Sequence, residues 1–194
     1  MRKIAMRFMV VGAGGVGAYF GGRLAEAGHD VTFIARGATL EALRSQGLRV
    51  DSIDGDFRIS PAQAANDPAT VGAVDAVLVC VKAWQVPDAA RALRPIVTPD
   101  TAVVPLQNGI DAPQRLIDVL GREPVLGGLC GVHAADASPA TSSMMPPSPG
   151  SASASSMVRA ARASSVCSRP SARQRASAPM CRRTSSRQCG PSSC

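Results

Sequence analysis

Short apolar runs and helically spaced apolar residues take turns along the first 131 positions of this 194-residue chain. Residues 7–11, RFMVV, form a compact apolar run of the kind that makes a strand buried on both faces. From residue 16 to 27 the apolar positions recur at helical spacing, and Gly28 closes that segment as a C-cap. Residues 30–35 predict a second strand. A helix is predicted over 40–45, followed by short strands over 48–53 and 57–60 around a turn at Asp54 and Gly55. Next come a buried strand over 76–81, a helix over 85–93 and a strand over 102–106. A helix over 111–120 ends at Gly121, and a last apolar strand covers 125–130. Strands that alternate with helices in this way predict an α/β fold built on a doubly wound parallel sheet.

The pattern stops near residue 132. Beyond it the chain contains no Leu, no Ile and no aromatic residue, and Asp136 is its last acid. Residues 138–194 hold 17 Ser and 8 Arg, with no Lys, and nothing there can build a core. Such a composition predicts a disordered tail. The expected division is therefore a folded domain over 1–132 and a Ser/Arg/Pro-rich tail over 133–194.

This division changes the meaning of the net charge. The whole chain carries +7, which on its own points to a nucleic-acid partner. Residues 1–137 contain 13 Lys+Arg and 14 Asp+Glu, so the excess belongs to the tail alone. With no Lys and no interleaved aromatics, the tail does not read as a nucleic-acid binder. Cys80 and Cys130 sit in apolar runs and read as buried, reduced thiols. Cys167, Cys181, Cys189 and Cys194 match no zinc spacing, and no metal site is expected. The N-terminal MRKIAMRFMVV imitates an export signal but leads into glycines at meaningful offsets. No stretch approaches the roughly 18 apolar residues of a membrane span. The sequence therefore reads as a cytoplasmic protein without a membrane partner, and Met6 is an alternative start.

The chemistry lies where the first strand meets the first helix. Gly12, Gly14 and Gly17 form G-x-G-x-x-G within a strand, turn, helix, strand unit of about 30 residues. Gly12 permits a tight turn, Gly14 lets a pyrophosphate approach the backbone, and Gly17 lets the helix pack close to the strand. The free N–H groups of the turn Gly12–Ala13–Gly14–Gly15–Val16–Gly17, aided by the helix dipole, then suit phosphate. The alternative is a glycine turn packed for structure alone. An NAD site usually carries an acid at the end of the second strand, on the ribose 2′-OH. Here Arg36 stands in that place, and a cation suits a 2′-phosphate, which favours NADP over NAD.

In open α/β sheets the ligand lies beyond the carboxyl ends of the strands. Lys82, Trp84 and Gln85 follow one strand, and Gln107, Asn108 and Gly109 follow the next. Lys82 suits a phosphate, a ribose or a substrate carboxylate, or is a solvated lysine. Asn108 before Gly109 also reads as a simple turn. His29 and His133 show no partner for a catalytic pair.

These stretches together resemble the ketopantoate reductase (2-dehydropantoate 2-reductase) family. The matching pieces are GAGGVG at 12–17, AGHDVTFIARG at 27–37, VKAWQ at 81–85 and LQNGI at 106–110, with VLGGLCG at 125–131 less specific. They span about two thirds of the chain. The resemblance implies a Rossmann-type NADP-binding domain and NADPH-dependent reduction of 2-dehydropantoate, a small 2-keto acid, to pantoate for coenzyme A synthesis. It also implies that the 12–17 turn holds the pyrophosphate, Arg36 the 2′-phosphate and Lys82 the length of the cofactor. Asn108 would touch both cofactor and substrate, and Ala134 would be a last cofactor contact. The family's catalytic lysine lies in a second, helical domain. No residue of this chain matches it, so no catalytic residue is assigned and the chain as written is expected not to turn over. A non-catalytic NADP-binding fragment and a reductase of another 2-keto acid remain as alternatives.

The resemblance also suggests an origin for the tail. If each third codon base is joined to the first two of the next codon, TSSRQCGPSSC admits I-L-E-A-M-W-A-K-F-L. SASASSMV, with the glycine before it, admits V-S-F-G-E-L-D-G, and ASPATSSMMP admits I-A-G-H-I-V-H-D-A. All three resemble the family beyond its cofactor domain, and in the family's order. A frameshift between residues 132 and 138 is the expectation.

Overall fold

The computed structural model describes residues 5–128 and 130–145. The expectations for residues 146–194, among them the four tail cysteines, lie outside the described residues. In chain order the elements are β1 (Arg7–Val11), α1 (Gly15–Glu26), β2 (Asp30–Ile34), α2 (Gly37–Gln46), β3 (Leu48–Ser52), β4 (Phe57–Ile59) and β5 (Gln63–Ala65). A 3₁₀ turn over Pro68–Thr70 leads to β6 (Ala76–Val79), and a second over Ala83–Gln85 leads to α3 (Val86–Leu93). β7 (Ala102–Pro105), α4 (Ala112–Leu120), β8 (His133–Ser138) and β9 (Thr141–Met145) follow.

The strands make two sheets. One is a five-stranded parallel sheet in the order β5-β2-β1-β6-β7, the Rossmann-type arrangement expected. β1 lies at its centre, and its alternating side chains explain why it reads as an unbroken apolar run. Phe8 and Val10 face the layer that contains Ala18, Tyr19, Phe20 and Leu24 of α1. Met9 and Val11 face the opposite layer, with Val86, Ala90 and Leu93 of α3 and Leu116 of α4. A central parallel strand has no wet face, so both sets must be apolar.

The second sheet, in the order β4-β3-β9-β8, was not foreseen as a separate layer. β3 and β4 pair antiparallel around the predicted turn, and β9 joins β3 in parallel. Leu48, Val50 and Phe57 of this sheet share a core with α1 and the parallel sheet, so α1 is packed between the two. Residues 133–145, placed by the sequence reading in the tail, form the β8–β9 hairpin. Strand pairing uses backbone groups and needs little apolar side-chain surface. Among the side chains described here, the buried ones, Ala140 and Ser142, are small.

Two expectations about strands need correction. Among its described residues the run at 125–130 does not form a strand. Val125 makes an isolated bridge to Val103, with Val103 N–H donating to the Pro124 carbonyl (2.8 Å) and Leu126 N–H to the Val103 carbonyl (2.9 Å). The next donor on β7 would be residue 105, a proline without an N–H, so the ladder ends there. Conversely, β5 pairs with β2 but shows no apolar alternation, and the sequence reading missed it.

Tyr19 and Arg23 fasten α1 to the β3–β4 turn. The Tyr19 hydroxyl donates to the Asp54 carboxylate (3.2 Å). Arg23 donates to the carbonyls of Asp54 (3.1 Å) and Gly55 (2.8 Å), with its guanidinium 4.4 Å from the Phe57 ring centre. Burial pushes the Tyr19 phenol above its ordinary pKa. The Arg23 hydrogen bond acts against that shift and Asp54 adds to it.

Tyr19 is the chain's one tyrosine, so its ultraviolet titration is free of overlap. A raised folded-state value means that the folded chain holds the phenol proton more tightly. That stabilisation is complete below the unfolded phenol value, about 10, and is lost as pH rises through the folded value. The folded chain should titrate above the urea-unfolded chain, and Tyr19→Phe should remove this part of the alkaline loss of stability. Coincident midpoints would refute the assignment.

Candidate functional site

The glycine turn is built by two close approaches. Gly12 has φ +97°, a backbone that L side chains rarely adopt, and its N–H donates to the Ile34 carbonyl at the end of β2 (3.0 Å). A Cβ on Gly12 would lie 3.1 Å from the carbonyl group of Cys80, where the chain leaves β6. A Cβ on Gly17 would run into the Gly12 carbonyl oxygen. The helix can therefore sit this close to the turn only with glycine at position 17, as the motif predicted. Gly14 is the N-cap of α1 and no side chain caps it. No acid lies in the first helical turn. The first N–H groups of a helix have no partner within the helix, and with the helix dipole they suit an anion.

A cleft of about 350 Å³ opens beside this turn. Ala13 and Gly14 line one wall, Arg36 and Thr39 another, and the β8–β9 turn from Ser138 to Ser142 a third. Arg36 is the exposed N-cap of α2 and makes no ion pair among the described residues. Thr39 lies one turn into the same helix and adds a hydroxyl to the cleft. The sequence did not mark it, because the helix predicted over 40–45 begins three residues earlier in the structure, at Gly37, and so takes in Thr39. Among the described residues no carboxylate lines the cleft.

The hairpin reaches the start of α1. A Cβ on Gly15 would lie 2.9 Å from the Ala134 carbonyl carbon, and the Ser142 hydroxyl donates to the Gly15 carbonyl (3.1 Å). Ala134 thus stands against the glycine turn. Val16 is half-buried against the core.

Lys82 and Asn108 are placed differently. Both are exposed, Lys82 just beyond β6 and Asn108 just beyond β7, and neither lines the cleft that holds Arg36. They occupy the other side of β1, at the carboxyl edge of the sheet. Gln107, named from the sequence at the same strand end but given no role there, is a buried polar side chain. Cys80 and Cys130 are half-buried free thiols, and burial pushes both above the ordinary thiol pKa. His29 is structural. Its Nδ1 accepts the Met6 N–H (3.2 Å), and its ring meets Phe8 edge-on. Among the described residues no cluster suits a metal ion, and no helix is long and apolar enough to cross a membrane.

Comparison with known proteins places this architecture. A family model described as ketopantoate reductase PanE/ApbA matches residues 8–149. The chain is 36% identical over 130 residues to an uncharacterized oxidoreductase, YkpB, of Bacillus subtilis, covering 67% of this chain and 42% of that protein. It is 36% identical over 124 residues to a 2-dehydropantoate 2-reductase of Nostoc sp., covering 64% of this chain and 39% of that one. The crystal structure of 2-dehydropantoate 2-reductase from Geobacter metallireducens superposes with a TM-score of 0.69 at 32% identity, over 73% of this chain and 46% of that one. The chain thus spans about two fifths of the length of these curated relatives.

The contact between Gly15 and Ala134 gives a test of the hairpin's position. A Gly15→Val side chain must displace Ala134, at a cost of about 1–3 kcal/mol for overpacking. Amide hydrogen exchange over 133–145 should then accelerate about tenfold or more while β1 and β6 stay protected. Unchanged exchange in the hairpin would show that it does not sit on α1.

Proposed function

Because the chain belongs to the ketopantoate reductase family, we propose that its parallel sheet binds NADPH for the reduction of 2-dehydropantoate to pantoate. The observation that carries this reading is the shared cleft of Arg36 and the glycine turn, where the described residues offer a cation without an ion pair, hydroxyls and no carboxylate. The residues suit the cofactor. The turn 12–17 offers main-chain donors without side chains in the way, and Arg36 offers a fork of donors for a 2′-phosphate. An acid in that position would select the unphosphorylated ribose instead.

When bound, NADPH supplies the hydride. On this reading the N–H groups of 12–17 hold the pyrophosphate, with Ala134 closing over the turn. Lys82 lies along the cofactor, and Asn108 orients both cofactor and keto acid. None of the described residues is assigned as the donor of the proton to the new hydroxyl. The 194 residues are therefore proposed to bind NADPH without turning over 2-dehydropantoate, and the complete reaction is proposed for the whole family protein. Reduction of another 2-keto acid is the alternative that substrate profiling of such a protein separates.

The frameshift expected between residues 132 and 138 is part of the same proposal. Its support is the joint loss of acids, Leu, Ile and aromatics after Asp136, in a chain whose relatives are more than twice as long as the segment they share with it. Resequencing the gene across the codons for residues 121–140 should reveal one base gained or lost. An intact frame there would remove the idea.

The cofactor preference has a direct measurement. The chain should bind NADPH more tightly than NADH. Arg36→Ala should weaken NADPH by about 10-fold to 100-fold, the loss of a charge-assisted contact of about 1.5–3 kcal/mol, and leave NADH nearly unchanged. Equal affinities in the unmodified chain, measured by calorimetry, would rule out an NADP site.

A further inference from the structure

The loop that follows β6 carries Lys82, and side chains hold it from three directions. Its own Gln85 accepts the Lys82 N–H through Oε1 (3.2 Å), and the Gln85 N–H returns to the Lys82 carbonyl (2.8 Å). From α4, Arg115 Nη1 donates to the Ala83 carbonyl (3.0 Å). From the exit of β7, Gln107 Nε2 donates to the carbonyls of Val79 (2.8 Å) and Val81 (3.0 Å). Val81 directly precedes Lys82, and its side chain lies against Gly12 of the phosphate turn.

Gln107 is 8% exposed, and among the described residues its Oε1 is the buried side-chain oxygen with no hydrogen-bond partner. This fixes how the amide lies. Both N–H donors are used on carbonyls, and the oxygen cannot replace them there because carbonyls only accept. Two neutral hydrogen bonds stabilise, and an orphaned buried acceptor costs a comparable amount. The net contribution to folding is therefore small, and what the amide chiefly supplies is position. The Val79 carbonyl already accepts the Leu106 N–H (2.9 Å), so the distinctive hold of Gln107 is on Val81.

We propose that Gln107 and Arg115 are positioning residues that lock the Lys82 loop across the carboxyl ends of β6 and β7. They set where the Lys82 ammonium stands relative to the glycine turn. The proposal rests on the NADPH reading for its consequence in binding, but not for the loop order itself. Gln107 acts through the Val81 carbonyl on one side of Lys82, and Arg115 through the Ala83 carbonyl on the other. Neither needs to touch the ligand.

The experiment uses the full 194-residue chain. Trp84 is its one tryptophan, lies in the same loop and is 74% exposed. Its fluorescence anisotropy decay therefore reports loop order without any cofactor. Gln107→Met and Arg115→Ala should each increase the local motion of Trp84 while far-ultraviolet dichroism stays that of the folded chain. Calorimetry should then show Gln107→Met weakening NADPH roughly fivefold, with that effect absent in a Lys82→Ala background, because contacts that act through one group are not additive. Unchanged Trp84 motion in both variants would overturn the proposal, as would an equal loss of affinity with and without Lys82. If the unmodified chain binds no NADPH, the cofactor reading fails by itself, and the Trp84 measurement still decides whether the loop is locked.

Discussion

Everything at the site depends on one backbone contact, the passage of Gly17 over the Gly12 carbonyl. It is a steric constraint before it is a chemical one. With any side chain at position 17, α1 would have to move away from the end of β1. The first turn of α1 would then no longer point its unpaired N–H groups over the sheet edge. The same turn brings Gly12 within van der Waals contact of Cys80 and Val81, so the exits of β1 and β6 are set together. The geometry of the phosphate turn and the start of the Lys82 loop are consequences of a single close crossing.

That crossing holds because α1 is packed from two sides. Against the parallel sheet it buries Ala18, Phe20 and Leu24. Towards the second sheet, Tyr19 and Arg23 reach the β3–β4 turn, and the guanidinium stacks on Phe57 while donating to two carbonyls. Planar stacking and forked donation are both properties of arginine that a lysine would not reproduce. The β8–β9 hairpin adds a third contact through Ser142 and Ala134 at the N-terminal end of the helix. The helix that presents the anion site is thereby held along its length, which is what a preorganised site requires.

How much of this could be read from the sequence depended on whether side chains or backbone carried the signal. β1, β6 and β7 are buried on both faces, so their apolar runs were unmistakable, while β2 alternates half-buried Asp30 and Thr32 with buried Val31 and Phe33, and the helices followed from their spacing. The glycine turn was legible because each glycine answers a separate steric demand. β5 was not legible, since Gln63, Ala64 and Ala65 form an edge strand through hydrogen bonds alone. The run at 125–130 misled for the opposite reason. Its side chains suit a strand, but the missing N–H of Pro105 ends the ladder after one bridge. The hairpin at 133–145 was hidden because strand pairing needs little apolar surface, and its described buried residues, Ala140 and Ser142, are small. Gln107 was visible at the strand end but had no role there, because a glutamine beside Asn108 and Gly109 looks like part of a turn, and only its burial shows otherwise.

The division of polar groups along the sheet edge carries the last step. Arg36 and Thr39 stand beyond β2, on one side of β1, and Lys82, Gln107 and Asn108 stand beyond β6 and β7 on the other. The glycine turn lies between them, at the point where the strand order reverses. A ligand that engages both groups must therefore be long, must cross the turn, and must place its most anionic part there or towards Arg36. A short keto acid alone cannot span that distance, whereas a dinucleotide with a central pyrophosphate has both the length and the charge distribution. The proposal of a bipartite, centrally anionic ligand therefore draws on the order of strands and the placement of two cations as well as on the family likeness.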